Sequence, residues 1–96
     1  MKDKTEKTIT EIFVRADAMR KLLKLPEEEA EVQVSTYANM WNVRVSPSIL
    51  DINGSTPIVM RRNYHSKSLG EALEKALKGV NEELSMLKEG KVWSLK

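Results

Sequence analysis

Arg61, Arg62, His65 and Lys67 stand within seven residues of one another, with Ser66 and Ser68 interleaved. That set suits an anion, because guanidinium and ammonium groups donate charge-assisted hydrogen bonds to phosphate or carboxylate oxygens. If Ser68 opens a helix, the free amides of its first turn stand beside these cations. A helix N-terminus carries roughly half a positive charge. Asn63 and Tyr64 add side chains of the kind that accompany phosphate contacts. The plainer alternative is a solvated strand end whose Arg and Lys guard a sheet edge.

Catalysis finds less support. His65 is the only histidine and cysteine is absent, which removes disulfides, thiol chemistry, iron–sulfur clusters and any Cys/His zinc site. A Ser–His pair needs a third group to orient the imidazole and donors to hold an oxyanion. Neighbours in a turn such as His65, Ser66 and Ser68 do not meet that geometry. Glu27, Glu28, Glu29 and Glu31 follow Pro26 in one solvated segment, whereas acid–base work needs two carboxyls in different environments. Asp3, Asp17 and Asp51 are too far apart for an oxygen-ligand metal loop, and the four glycines, at 54, 70, 79 and 90, assemble no phosphate loop. The expectation is therefore no enzyme, no metal and no cofactor.

Two features suit a protein partner instead. Trp41 and Trp93, with Met40, Met60 and Met86, are adaptable or anchoring interface types, although Trp41 also fits a small core. Glu27, Glu28 and Glu29 form a compact acidic run able to imitate a phosphate chain toward a basic target.

The elements that position these residues follow from periodicity. Leu69, Ala72, Leu73, Ala76, Leu77, Val80, Leu84 and Leu87 form one apolar stripe and predict a helix over Leu69–Lys88. Ser68 with Glu71 reads as a capping box, and Gly90 as its left-handed terminator. Gly79 costs that helix about 1 kcal/mol relative to Ala, which suggests a close neighbour there. Strands are predicted at Glu31–Thr36, Met40–Val45, Ile49–Ile52 and Ile58–Tyr64, with turns at Tyr37–Asn39 and Asn53-Gly54. Pro47 and Pro57 belong at an edge, a bulge or a strand start. The result is an antiparallel meander whose middle strand is kinked near Pro47.

The N-terminal third allows two readings. Ile9, Ile12, Phe13, Ala16, Met19, Leu22 and Leu23 fit one helix. Thr8–Arg15 is also rich in β-formers, and Asp17 suits the cap of a short helix at Ala18–Leu25. Pro26 ends either helix. The fold class is α+β: a three-stranded antiparallel sheet, four with the extra strand, and a long C-terminal helix on one face. The order is α-β-β-β-α or β-α-β-β-β-α.

The α-β-β-β-α order, with basic residues opening the final helix, resembles the double-stranded-RNA-binding domain over Tyr37–Leu87. The resemblance implies phosphate contacts from Lys67 and Ser68 at the start of that helix. Where that family carries a run of lysines, this chain has one, followed by Glu71 and Glu74, and no Gly-Pro-x-His loop is present.

With 96 residues, 16 Lys plus Arg and 14 Asp plus Glu, the chain is one domain with a net charge of +2. A domain this small buries only about 60–65% of its unfolded surface, so a homodimer would help it. Residues 1–26 and 61–78 each carry a net charge of +3, flanking a centre of −4 over 27–60. Residues 1–7 are expected to be disordered and 91–96 to form an apolar tail. No run suits a membrane span and no signal peptide is evident, so the expected setting is cytoplasmic. The leading expectation is a non-catalytic module that binds nucleic acid or another anionic partner through Arg61, Arg62, His65, Lys67 and Ser68, with Arg20, Lys21 and Lys24 extending the surface. The alternative is a small regulator or inhibitor of mobile-element or viral type, dimeric, masking a protein partner through its acidic segment or apolar tail.

Overall fold

The apolar stripe of the C-terminal helix needs a wall to bury against, and a three-stranded antiparallel sheet supplies it. The computed structural model describes residues 2–50 and 58–89. Its order is α1 (Lys2–Leu22), a 3-10 turn at Glu27–Glu29, β1 (Glu31–Tyr37), β2 (Met40–Leu50), β3 (Ile58–Ser66) and α2 (Leu69–Glu89). The class is α+β and the sheet order is β1-β2-β3, with β2 central. The Asn53-Gly54 turn, Pro57, Gly90 and the tail carrying Trp93 lie outside the described residues.

Helix α2 buries Ala72, Leu73, Ala76, Val80, Leu84 and Leu87, while Leu69 and Leu77 pack half-buried against the same core. Ile12, Ala16 and Met19 of α1 join them, with Val43, Val45 and Ile49 of β2 beneath. Both helices meet the sheet on this face, so among the described residues the other face is free of helices.

The N-terminal third is a single helix. Its buried positions recur every three to four residues, and α2 and the sheet give that stripe a place to go. Phe13 and Val14 make the segment look strand-like, and they are the residues left exposed, at 42% and 57%. Asp17 caps no helix; its carboxylate accepts from Arg20 Nε at 2.7 Å and lies 3.6 Å from Lys21 Nζ. Of residues 1–7, where the sequence suggests disorder, residues 2–7 form the opening turns of α1, and Thr8 Oγ1 donates back to Lys4 O. The helix stops before Pro26. Lys24 adopts a left-handed φ of 60°, Lys24 N donates to Lys21 O, and Leu25 N donates to Arg20 O. That pair of bonds is a Schellman closure, made here without glycine.

A two-residue turn at Ala38-Asn39, with φ of 53° and 64°, joins β1 to β2, the backbone that a type I′ hairpin requires. Register runs from Glu31↔Ser46 to Tyr37↔Met40 between these strands. Between β2 and β3 the ladder breaks: Val45 pairs with Arg62 but Ser48 with Met60, so Ser46 and Pro47 together face Arg61. This is the irregularity Pro47 predicts, a bulge in the central strand at a cis Ser46-Pro47 peptide.

Candidate binding surface

Neighbouring residues of a strand point to opposite faces, and the pleat of β3 splits the basic cluster accordingly. Arg61, Asn63 and His65 are exposed, whereas Arg62, Tyr64 and Ser66 turn toward the helices. Arg62 is therefore part of the fold. Its Nε donates to Ser48 Oγ at 3.0 Å, and its terminal nitrogen donates to Ile49 O at 3.1 Å. Glu83 of α2 completes the group. Its carboxylate accepts from Ser48 Oγ at 2.9 Å and from Ile49 N at 3.4 Å, and it lies 3.4 Å from Arg62 Nε. Burial raises the Glu83 pKa despite the opposing hydrogen bond from Ser48 and the charge of Arg62. Tyr64, half-buried beside it, is pushed up to about 12, chiefly by burial and next by the Glu83 charge. These residues clamp α2 to the bulge, so Arg62 is tied into the fold, unlike the exposed Arg61 beside it.

Ser66, Lys67 and Ser68 lead into α2. Ser68 Oγ accepts from Glu71 N at 3.3 Å, which is half of the predicted capping box. The other half differs: the Glu71 carboxylate accepts from Ser66 Oγ at 2.6 Å, and Ser66 Oγ in turn accepts from Ser68 N at 3.3 Å. The buried Ser66 hydroxyl thus stands between the carboxylate and the cap amide. Lys67 is exposed at this corner, and Lys75 Nζ, nearly two turns into α2, donates back to His65 O at 3.0 Å. Trp41 pairs with Ser66 across the ladder, so the Ala38-Asn39 turn and the start of α2 share one end of the sheet.

Directly paired residues share a face, so the exposed Arg61, Asn63 and His65 are joined by side chains from β2. Arg44 pairs with Asn63, and Asn42 with His65. Arg44 looks isolated in the acidic middle of the sequence, and only the ladder brings it between Arg61 and His65. The β2 alternation of Trp41, Val43 and Val45 signals that Arg44 points away from the core; which β3 residue it meets depends on the bulge.

The acidic and aromatic candidates fall elsewhere. Glu27 and Glu28 are exposed and Glu29 half-buried on the 3-10 turn. Glu29 borders a shallow depression of about 260 Å³ with Ser46 and Arg61, so the Arg61 end of the surface is partly neutralised. At the other end, the corner of His65, Lys67 and Lys75 also holds the Glu71 carboxylate, which is engaged by Ser66 Oγ. Trp41 packs half-buried against the core. Arg20 donates to Asp17 and to Leu25 O, and Lys24 closes α1; the chain then enters β1 at the Glu31 end, away from Lys67. Among the described residues, no group of His, Asp or Glu side chains is placed to hold a metal ion, and no helix is long and apolar enough to cross a membrane.

Compared with protein-family models, curated proteins and solved structures, the chain matches none.

Proposed function

We propose that the chain is a non-catalytic module that binds nucleic acid through the corner where β3 hands over to α2. The observation that carries this reading is the convergence of His65, Lys67 and Lys75 on the N-terminus of α2, with the Ala38-Asn39 turn beside them. The helix end and these side chains attract phosphate, and Arg44 and Arg61 continue the basic surface along the helix-free face. The α-β-β-β-α order accords with the resemblance to the double-stranded-RNA-binding domain, in which Lys67 and Ser68 would meet phosphate.

A second reading is favoured by the exposed carboxylates of Glu27 and Glu28, fixed in a turn behind Pro26. A regulator would use them to mask a basic protein partner, as a homodimer.

The deciding experiment titrates binding to single- and double-stranded DNA and RNA against salt, with light scattering on the same sample. Affinity that falls steeply with salt supports the first reading, because counterion release dominates phosphate contacts. No binding at low salt, with a dimeric mass, favours the second.

A further inference from the structure

The helix-free face of the sheet is laid out in cross-strand rows, of which two are wholly polar: Gln33–Arg44–Asn63 and Ser35–Asn42–His65. Strands stand about 4.8 Å apart, so each row is roughly 10 Å wide, with about 7 Å between rows. The side chains are tied to one another in a particular sense. Asn42 Nδ2 donates to Asn63 Oδ1 at 3.0 Å, and Arg44 donates to Gln33 Oε1.

Those bonds use the amide oxygens of Asn63 and Gln33 as acceptors. What the rows retain for a ligand is led by donors, the NH2 groups of Gln33 and Asn63 and the rest of the Arg44 guanidinium, while the Ser35 hydroxyl and the His65 ring can donate or accept. Arg44 Nε and the acceptor Asn42 Oδ1 are themselves buried with no hydrogen-bond partner among the described residues. Neither row contains a carboxylate; the face carries the positive charges of Arg44 and Arg61, with Glu31 as an acidic residue of β1 beyond the Gln33 row. Antiparallel sheets often leave one face to water, and polar pairs across strands also stabilise a sheet; these rows add an arginine and free amide donors to that role.

We propose that these rows seat a single-stranded nucleic acid, which crosses the strands along Gln33–Arg44–Asn63. The inference rests on the nucleic-acid reading above and narrows its class. A strand of phosphates and unpaired bases is rich in acceptors, which complements a donor-rich surface. Amide side chains also match the base edges that only an unpaired strand presents. A sheet face three strands wide offers a platform for such a chain and no ridge to enter a duplex groove.

The test is fluorescence anisotropy with labelled oligothymidylate and oligouridylate of about 20 nucleotides, longer than the roughly 4–16 that one small fold covers. A mixed-sequence duplex of the same length is the comparison. Gln33→Glu combined with Asn63→Asp adds two carboxylates at exposed positions, and circular dichroism with thermal melting verifies folding. Arg44→Gln is a second, independent variant. Single strands should bind more tightly than duplex, and each variant should lower single-strand affinity by about tenfold or more. Single-strand binding unchanged in both folded variants but weakened by Lys67→Gln would overturn the sheet-face proposal and leave the corner reading standing. Preference for duplex would also overturn it. No binding of any nucleic acid at low salt would remove both readings.

Discussion

The ring of Tyr64 lies so close over Gly79 that a methyl group at that helix position would come within 2.9 Å of its Cε2 and Cζ atoms. A strand side chain and a helix backbone are in contact there, and the glycine inside an otherwise regular helix has its reason. The same approach holds the Tyr64 hydroxyl near Glu83, whose charge adds to the burial that raises the phenol pKa.

Replacing Gly79 by Ala tests this contact. The helix gains about 1 kcal/mol of propensity, but the ring must move, and overpacking of this kind costs about 1–3 kcal/mol. Urea unfolding should show a less stable Gly79→Ala protein. In a Tyr64→Leu background the same substitution should become stabilising, and equal effects in both backgrounds would contradict the contact.

Arg61 and Arg62 should behave oppositely when each is changed to Ala. Loss of Arg62 leaves Glu83 half-buried without its cation and removes the donors to Ser48 Oγ and Ile49 O. The expected cost is about 1–3 kcal/mol in unfolding free energy. Loss of Arg61 should change stability by no more than about 0.5 kcal/mol. It should instead weaken nucleic-acid binding and lower the salt slope by about 1.

Glu83 should give the protein a recognisable pH response. Its pKa is raised above the ordinary 4.5, with burial the leading cause. As pH falls through the folded value, the folded chain takes up this proton before the unfolded chain does, so stability rises. Asp17 acts in the other direction. The Arg20 hydrogen bond holds it below its ordinary 3.8, so its contribution is present above 3.8 and disappears as pH falls through the folded value. Urea melts across pH should show a gain as pH falls toward 4.5 from above, abolished by Glu83→Gln, followed by a loss at stronger acid. A gain that persists in Glu83→Gln would assign it to another group.

The start of α2 should depend more on Ser66 than the sequence suggests. Ser66→Ala removes both the donor to Glu71 and the acceptor for Ser68 N at a buried site, with an expected cost of about 1–3 kcal/mol. Ser68→Ala removes one longer cap bond and should cost about 1 kcal/mol. Thermal or urea unfolding of the two variants ranks them.

Local pattern carried most of the architecture. The α2 stripe, the strands as far as described and the disturbance at Pro47 are readable because each depends on neighbours in sequence. The N-terminal helix is not, because Phe13 and Val14 interrupt the helical pattern and only the place where Ile12, Ala16 and Met19 bury decides it. The surface residues are harder still. Whether Arg61 or Arg62 faces water, and whether Arg44 stands beside either, follows from ladder register. That register is set by two residues of β2 facing one of β3, a pairing between segments distant in sequence. Sequence alone therefore does not separate Arg62, tied to Ser48 and Glu83, from the exposed Arg61, and it overlooks Arg44 and Lys75.

The pleat of β3 also has a consequence for redesign. Adjacent codons there encode side chains with different surroundings: positions 62, 64 and 66 turn toward the helices, while positions 61, 63 and 65 are exposed. Substitutions at the exposed positions would leave the helix-facing contacts in place. A library randomised at positions 33, 42, 44, 61 and 63 would sample new specificities while leaving the helix-facing side of the sheet untouched, which makes this small fold a practical framework for selecting binders.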